Sequence, residues 1–203
     1  MMNFGETLAY WYFRLNGFFP LANFVLHRSP NVVEHSADSD LLAVRFPHVY
    51  EETGGKPEDW DNDRFDGWGL RHQDSVVCAI VEVKTGRSDR SAGSRAFSED
   101  RLRVAVRRFG VLPQKDVDPL VARLVSCAVV AGPNSTFAKI FITPNLKKTA
   151  SSGEPLAWCD LSLKEIVAFI QSRMLDYRSR KQADRMFFSN DLIQYLAWQE
   201  SHQ

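Results

Sequence analysis

From Gly5 to Asn16 apolar residues recur at helical spacing and Gly17 stands where a helix stop belongs, which predicts a first helix. Two short runs rich in strand formers follow, NFVLHR at 23 to 28 and DLLAVRF at 40 to 46, with a turn and approach between them. Residues 47 to 75 mix Gly, Pro, Asp and Trp without either period and read as an insertion between strands. VVCAIVEVKTG, 76 to 86, is nearly continuous in apolar residues, as a strand covered on both faces should be. After a Ser/Gly/Arg loop, SEDRLRVAVRRFGVL predicts a helix that Ser98 can cap, with Leu102, Val106 and Phe109 on one side. RLVSCAVVAG (123 to 132) and FAKIFITP (137 to 144) predict two more strands joined by a Gly-Pro-Asn turn. From Asp160 the period is helical, with a stripe of Ile166, Phe169, Ile170 and Leu175, and SNDLIQYLAWQES closes the chain as a short helix capped by Ser189 or Asn190.

This order predicts an α/β (α+β) fold, a central mixed sheet flanked by helices. Residues 1 to 150 would form the core and 151 to 203 a C-terminal helical appendage. At 203 residues, 44% apolar and 25% charged, the chain has the size and composition of one ordinary globular domain. Basic and acidic residues number 25 each, so an anionic partner must be drawn by a local patch and not by the overall field. Cys78, Cys127 and Cys159 are widely spaced and form no C-x-x-C pair, so neither a disulfide framework nor a cysteine zinc site is suggested, and a reducing compartment fits best. The aromatic start is interrupted by Glu6, Arg14 and Pro20 and lacks a signal-peptide pattern, so a cytoplasmic protein without a membrane partner is expected.

The insertion carries seven acids between 51 and 66, the composition of a solvated acidic loop. Asp59, Asp61 and Asp63 alternate as in a calcium loop, but Arg64 and Leu70 fall where an EF-hand needs Gly and Glu, which excludes it. The strand at 76 to 86 poses the sharper problem. Alternation puts Cys78, Ile80, Glu82 and Lys84 on one face, with the two charged residues about 6.6 Å apart along it. Two plain explanations are open: the strand end emerges into water, or the two charges pair with each other. A third adds Asp40, at the mouth of a neighbouring strand. Two carboxylates from adjacent strand ends can converge on a hard divalent cation, and a lysine beside them can orient or deprotonate a water.

Asp40 followed by Glu82-Val83-Lys84 resembles the D…E-x-K signature of the PD-(D/E)XK nuclease superfamily, the restriction-endonuclease-like fold. GETLAYWYFRLNGF, with Gly5, Glu6, Ala9, Tyr12, Gly17 and Phe18, is similar to the opening of small bacterial endonuclease-like proteins related to archaeal Holliday-junction resolvases. The resemblance covers residues 5 to about 86. It implies a metal-dependent nuclease, acting on DNA more readily than RNA, in restriction, phage defence or repair. Asp40, Glu82 and the Val83 carbonyl would bind Mg2+, for which Mn2+ can substitute, Lys84 would assist the attacking water, and Glu6 would complete the site, with Asp38 in support. The chain departs from the pattern in its long spacer and in having Ser39 before Asp40. A module of the same fold that binds nucleic acid or protein without cutting is the alternative.

Two basic stretches are candidates for holding a phosphate backbone. One supplies Arg87, Arg90, Arg95, Arg101, Arg103, Arg107 and Arg108 just after Lys84; the other has Arg173, Arg178, Arg180, Lys181 and Arg185. Arg87, Arg90, Arg95 and Arg101 are the chosen nucleic-acid contacts, and a solvated helix face is the commoner meaning of such runs. The C-terminal helices are a candidate surface for self-association or a protein partner. The aromatics from Tyr10 to Phe19 at helical spacing read as core. No zinc-hydrolase, P-loop or serine-hydrolase motif occurs.

Overall fold

The computed structural model describes residues 2–24, 39–50, 56–86, 90–145, 157–176 and 190–201. Helix α1 (Phe4–Leu15) starts where Asn3 accepts hydrogen bonds from Gly5 N and Glu6 N, and it stops at Asn16 and Gly17, whose φ of 78° suits glycine. Strands β1 (Phe19–Phe24), β2 (Ser39–Arg45) and β3 (Val76–Val83) form an antiparallel meander. A short 3-10 turn (Pro57–Asp59) and α2 (Asn62–Gly67) lie between β2 and β3. The chain then runs through α3 (Arg90–Ala96), α4 (Glu99–Phe109) and α5 (Gln114–Ser126) before β4 (Val129–Ala131) and β5 (Ser135–Thr143). β6 (Cys159–Ser162), α6 (Leu163–Asp176) and α7 (Asp191–Ser201) follow.

The six strands make one mixed sheet in the order β1, β2, β3, β5, β4, with β6 also on β5. β5 runs parallel to β3, so the three helices between them form a crossover. Its far side is shared: β4 pairs antiparallel with residues 136–138 and β6 parallel with 140–143. Lys139 fills the handover. Its backbone N–H donates to Ala128 O at 2.9 Å, and its Nζ donates to Val125 O at 3.0 Å at the end of α5. The ammonium lies 5.8 Å from the Phe97 ring, and burial, which leaves the residue 1% exposed, pushes its pKa down to about 8. A helix C-terminus, where carbonyls lack partners, is the place in a core that best tolerates a cation.

Alternation along β3 sorts the core into two layers. Val77, Ala79, Val81 and Val83 pack with Leu8, Tyr12, Ile166, Ile170 and Ile193 from α1, α6 and α7. Cys78 and Ile80 pack with Leu102, Val106, Val121 and Leu124 from α4 and α5. Each large apolar side chain removed from water this way contributes about 1.5–3 kcal/mol, which is why both faces are closed by helices.

Several sequence expectations are corrected here. The strand expected at 23 to 28 is Phe19–Phe24, and 25–28 lie outside the described residues. Residues 123–126, expected as strand, end α5, because Val117, Leu120, Val121 and Leu124 form a buried helical stripe that outweighs the local run of strand formers. Residues 157–176, assigned to a helical appendage, contribute β6 to the sheet and a helix to the main core. Ser162 and Glu165 start that helix with a reciprocal cap: Ser162 N and Oγ donate to Glu165 Oε2 at 2.9 and 2.6 Å, and Glu165 N donates to Ser162 Oγ at 3.1 Å. Leu175 is exposed and Met174 takes its place in the stripe. Ser98 occupies the cap position of α4 without a side-chain cap bond, whereas Asn190 Oδ1 accepts from Leu192 N and Ile193 N. Phe19 is 64% exposed, unlike Trp11, Tyr12, Phe13 and Phe18, which are buried.

The insertion is not a solvated loop over its described part. Trp60, Phe65 and Leu70 are buried, and the Arg45 guanidinium lies 4.4 Å from the Trp60 ring and 5.7 Å from Phe65. Burial alone pushes Arg45 down to about 10. Asp61 Oδ2 accepts from Tyr12 OH at 2.6 Å and from Arg64 Nε at 2.8 Å, and Arg64 Nη2 donates to Glu165 Oε1 at 3.1 Å. Asp61 N donates to the Asn16 side chain at 2.7 Å, and Asp59 faces the buried Arg173 at 3.1 Å. Asp61 and Asp59 therefore anchor the segment onto α1 and α6, while Glu58, Asp63 and Asp66 are exposed. No helix among the described residues is long and apolar enough to cross a membrane.

Candidate active site

β2 and β3 pair antiparallel with Leu41 opposite Val81, so one step further places Asp40 opposite Glu82. Both side chains project to the α4 and α5 face, that of Leu42 and Ile80. Asp40 Oδ2 accepts the Val83 N–H at 2.7 Å, which continues the ladder by a side chain where β2 begins. Glu82 is only 6% exposed, and its Oε1 takes a 2.5 Å hydrogen bond from Lys84 Nζ. Lys84 is held to the sheet by its backbone N–H, which donates to Ile142 O at 2.8 Å. Asp40 and Glu82 are thus cross-strand neighbours at the C-terminal end of β3, with Lys84 in contact with Glu82.

The cluster carries excess negative charge. Burial, and then the Glu82 charge, raise the Asp40 carboxyl to about 6, against the Val83 N–H and Lys84, which pull it down, and with a further push from Glu6. Among the described residues the second oxygen of each carboxylate receives no protein donor. A buried and a half-buried carboxylate with one ammonium are a donor set that a hard divalent cation would neutralise. Among the described residues no three or more His, Cys, Asp or Glu side chains gather as a metal cage, so a cation here would keep waters and use backbone oxygen such as that of Val83.

Glu6 stands in the first turn of α1. Its Oε2 accepts from Asn3 N at 3.1 Å and its Oε1 is bonded to Asn3 Nδ2, so the side chain serves the helix cap while its charge reaches Asp40. The approach depends on Gly5: a Cβ there would collide with Thr85 Cγ2 and lie 3.1 Å from Val83 Cγ1. The sequence reading gave Glu6 to the metal site and passed over Asn3, although N-x-x-E is a capping-box spacing.

Of the expected nucleic-acid contacts, Arg87 lies outside the described residues, as does Asp38. Arg90 opens α3, Arg95 is exposed near its end, and Arg101 Nη1 donates to Arg95 O at 3.2 Å. Arg103 is occupied by Glu99, Asp100 and Asp118. In the second stretch Arg173 is buried against Asp59, and Arg178, Arg180, Lys181 and Arg185 lie outside the described residues. Trp158 and Asp160, which the sequence reading did not single out, lie on the same sheet face as Glu82, one strand beyond Phe141.

The fold defines an α/β protein with a mixed six-strand sheet and helices on both faces. No protein-family model, no curated protein and no solved structure matches the chain.

Proposed function

We propose that this protein is a divalent-cation-dependent nuclease of the PD-(D/E)XK type that hydrolyses phosphodiester bonds, DNA in preference to RNA. The observation that carries the reading is the placement of Asp40 across from Glu82 with Lys84 in ionic contact beside them. The order of a helix, three antiparallel strands, a helical crossover and a parallel strand accords with a restriction-endonuclease-like fold. Asp40, Glu82 and the Val83 carbonyl would hold Mg2+ or Mn2+, which when bound supplies Lewis acidity to the phosphate and acidity to a water. Asp40 binds in its ionised form, and its Val83 hydrogen bond fixes the carboxylate plane. Lys84, kept in place by the buried Glu82, would orient the attacking water by donating a hydrogen bond to it. Arg90, Arg95 and Arg101 would position the backbone without reading sequence.

One observation favours the second reading, a module of this fold that binds without cutting: Lys84 and Glu6 already have protein partners. Purified protein incubated with supercoiled, linear and single-stranded DNA and magnesium or manganese separates the two. Cutting is expected in the wild type and its loss in Lys84→Ala and Asp40→Ala. Cutting that survives both substitutions sinks this site, and binding without cutting in the wild type selects the second reading.

A further inference from the structure

We propose that Trp158 is a positioning residue for the substrate: seated in the notch left by Gly93 and held by Asp160, its indole fixes α3 beside the carboxylate site and so sets how tightly nucleic acid is held. The inference rests on the nuclease reading of that site.

Phe141 lies opposite Glu82 on one side and opposite Asp160 on the other, so these three residues share a row and a face of the sheet. Trp158 packs on Phe141 and Asp160 of this row. Its Nε1–H donates to Asp160 Oδ1 at 3.0 Å, and its ring lies 5.5 Å from Phe141 and 6.1 Å from Phe97. The indole is thus held by its edge and by its face. α3 closes onto it at Gly93, where a Cβ would stand 2.7 Å from Cη2, 2.9 Å from Cζ2 and 3.0 Å from Cζ3. A ring anchored on two sides cannot swing away, so any side chain at 93 displaces the helix instead. Gly93 has no positive φ and sits inside a helix, where Ala would be the better former. Close approach to the indole is what requires glycine.

What moves with α3 is the basic surface. The helix begins at Arg90, soon after the Lys84 to Gly86 strand exit, and carries Arg95. Arg101 reaches back from α4 to the Arg95 carbonyl, and Phe97, at the end of α3, packs 6.3 Å from Phe141. Cationic groups arranged on a rigid element bind a regularly spaced phosphate chain only when the element keeps its register with the reacting centre. Trp158 contributes that register without touching the substrate.

The test uses the full chain at a temperature where every variant is folded. Gly93→Ala is expected to raise KM for duplex DNA, and Kd measured with a labelled duplex in the Lys84→Ala background, by about tenfold while leaving kcat unchanged. Trp158→Leu removes the indole that holds α3 and is expected to raise KM and Kd to a similar extent, and adding Gly93→Ala to it should cost little more, since the Cβ then has no ring to meet. Asp160→Ala, which frees the indole edge, gives the same KM effect should Gly93→Ala fail to fold. Unchanged KM and Kd in the folded variants, a double variant in which the two losses simply add, or no nucleic-acid binding by the wild type overturns the inference. Cutting that survives Lys84→Ala instead sinks the reading of the site, and the Kd series still judges the indole.

Discussion

Near pH 6 the Asp40 carboxyl is half protonated in the folded chain, because burial and Glu82 oppose its charge more than Val83 N–H and Lys84 favour it. Its folded pKa lies above the unfolded 3.8, so the fold binds this proton more tightly than the unfolded chain does. The stability it contributes is complete below the unfolded value and is lost as pH rises through about 6. Asp40→Asn, which keeps an acceptor for Val83 N–H, is therefore expected to raise unfolding stability by about 1–2 kcal/mol at about pH 8, allowing for solvent screening of a half-buried group. Below about pH 3 the two proteins should unfold alike in urea, since Asp40 is then protonated in both states. Equal stability at both pH values would show that the carboxylate is not strained. This residue was legible in the sequence because it stands directly before the apolar run of β2, at the mouth of a strand that could pair with the one carrying Glu82. The cap made by Asn3 and Glu6 was equally present in the letters, but an acid in a first turn has two uses and spacing alone does not choose between them.

α1 joins the site to the rest of the molecule as a single rigid rod. Its first turn lies against Val83 and Thr85 through Gly5, and its last turn is held by Tyr12 and Asn16 to the insertion. Gly5→Ala should push the first turn away from β3 and destabilise the fold by about 1–3 kcal/mol, as overpacking does. Pairing it with Thr85→Ser, which removes the colliding methyl, should recover much of that loss in thermal melts, and an equally unstable double variant would place the strain elsewhere. Helices with one apolar stripe, such as α1 and α4, were readable from spacing. α5 was hidden because Pro119 and a late run of Val, Cys and Ala obscured its stripe, and β6 because four residues are too few to display alternation.

The molecule as a whole is tied together by polar contacts that no periodicity announces. Tyr12, Asp61, Arg64 and Glu165 come from α1, the approach to α2, α2 itself and α6, so each member lies on a different stretch of chain. Burial and the Asp61 charge raise the Tyr12 hydroxyl well above its ordinary pKa, so it stays a donor to that carboxylate. Tyr12→Phe removes the bond and leaves Asp61 to Arg64, at an expected cost of about 1–2 kcal/mol in chemical unfolding. A cost near zero would mean that the contact between α1 and the insertion is held by Asn16 and packing instead.

The sheet closes its flanks by brevity and by proline. On the β5 side the outermost ladders are only three and four residues long, and on the other side the terminal strand contains Pro20, which cannot donate, and Asn23, whose φ of 53° twists the backbone out of line. An incoming strand would find no continuous run of free amides to copy. Lateral growth into fibres is thereby discouraged by geometry, even though the chain has no net charge to keep its copies apart.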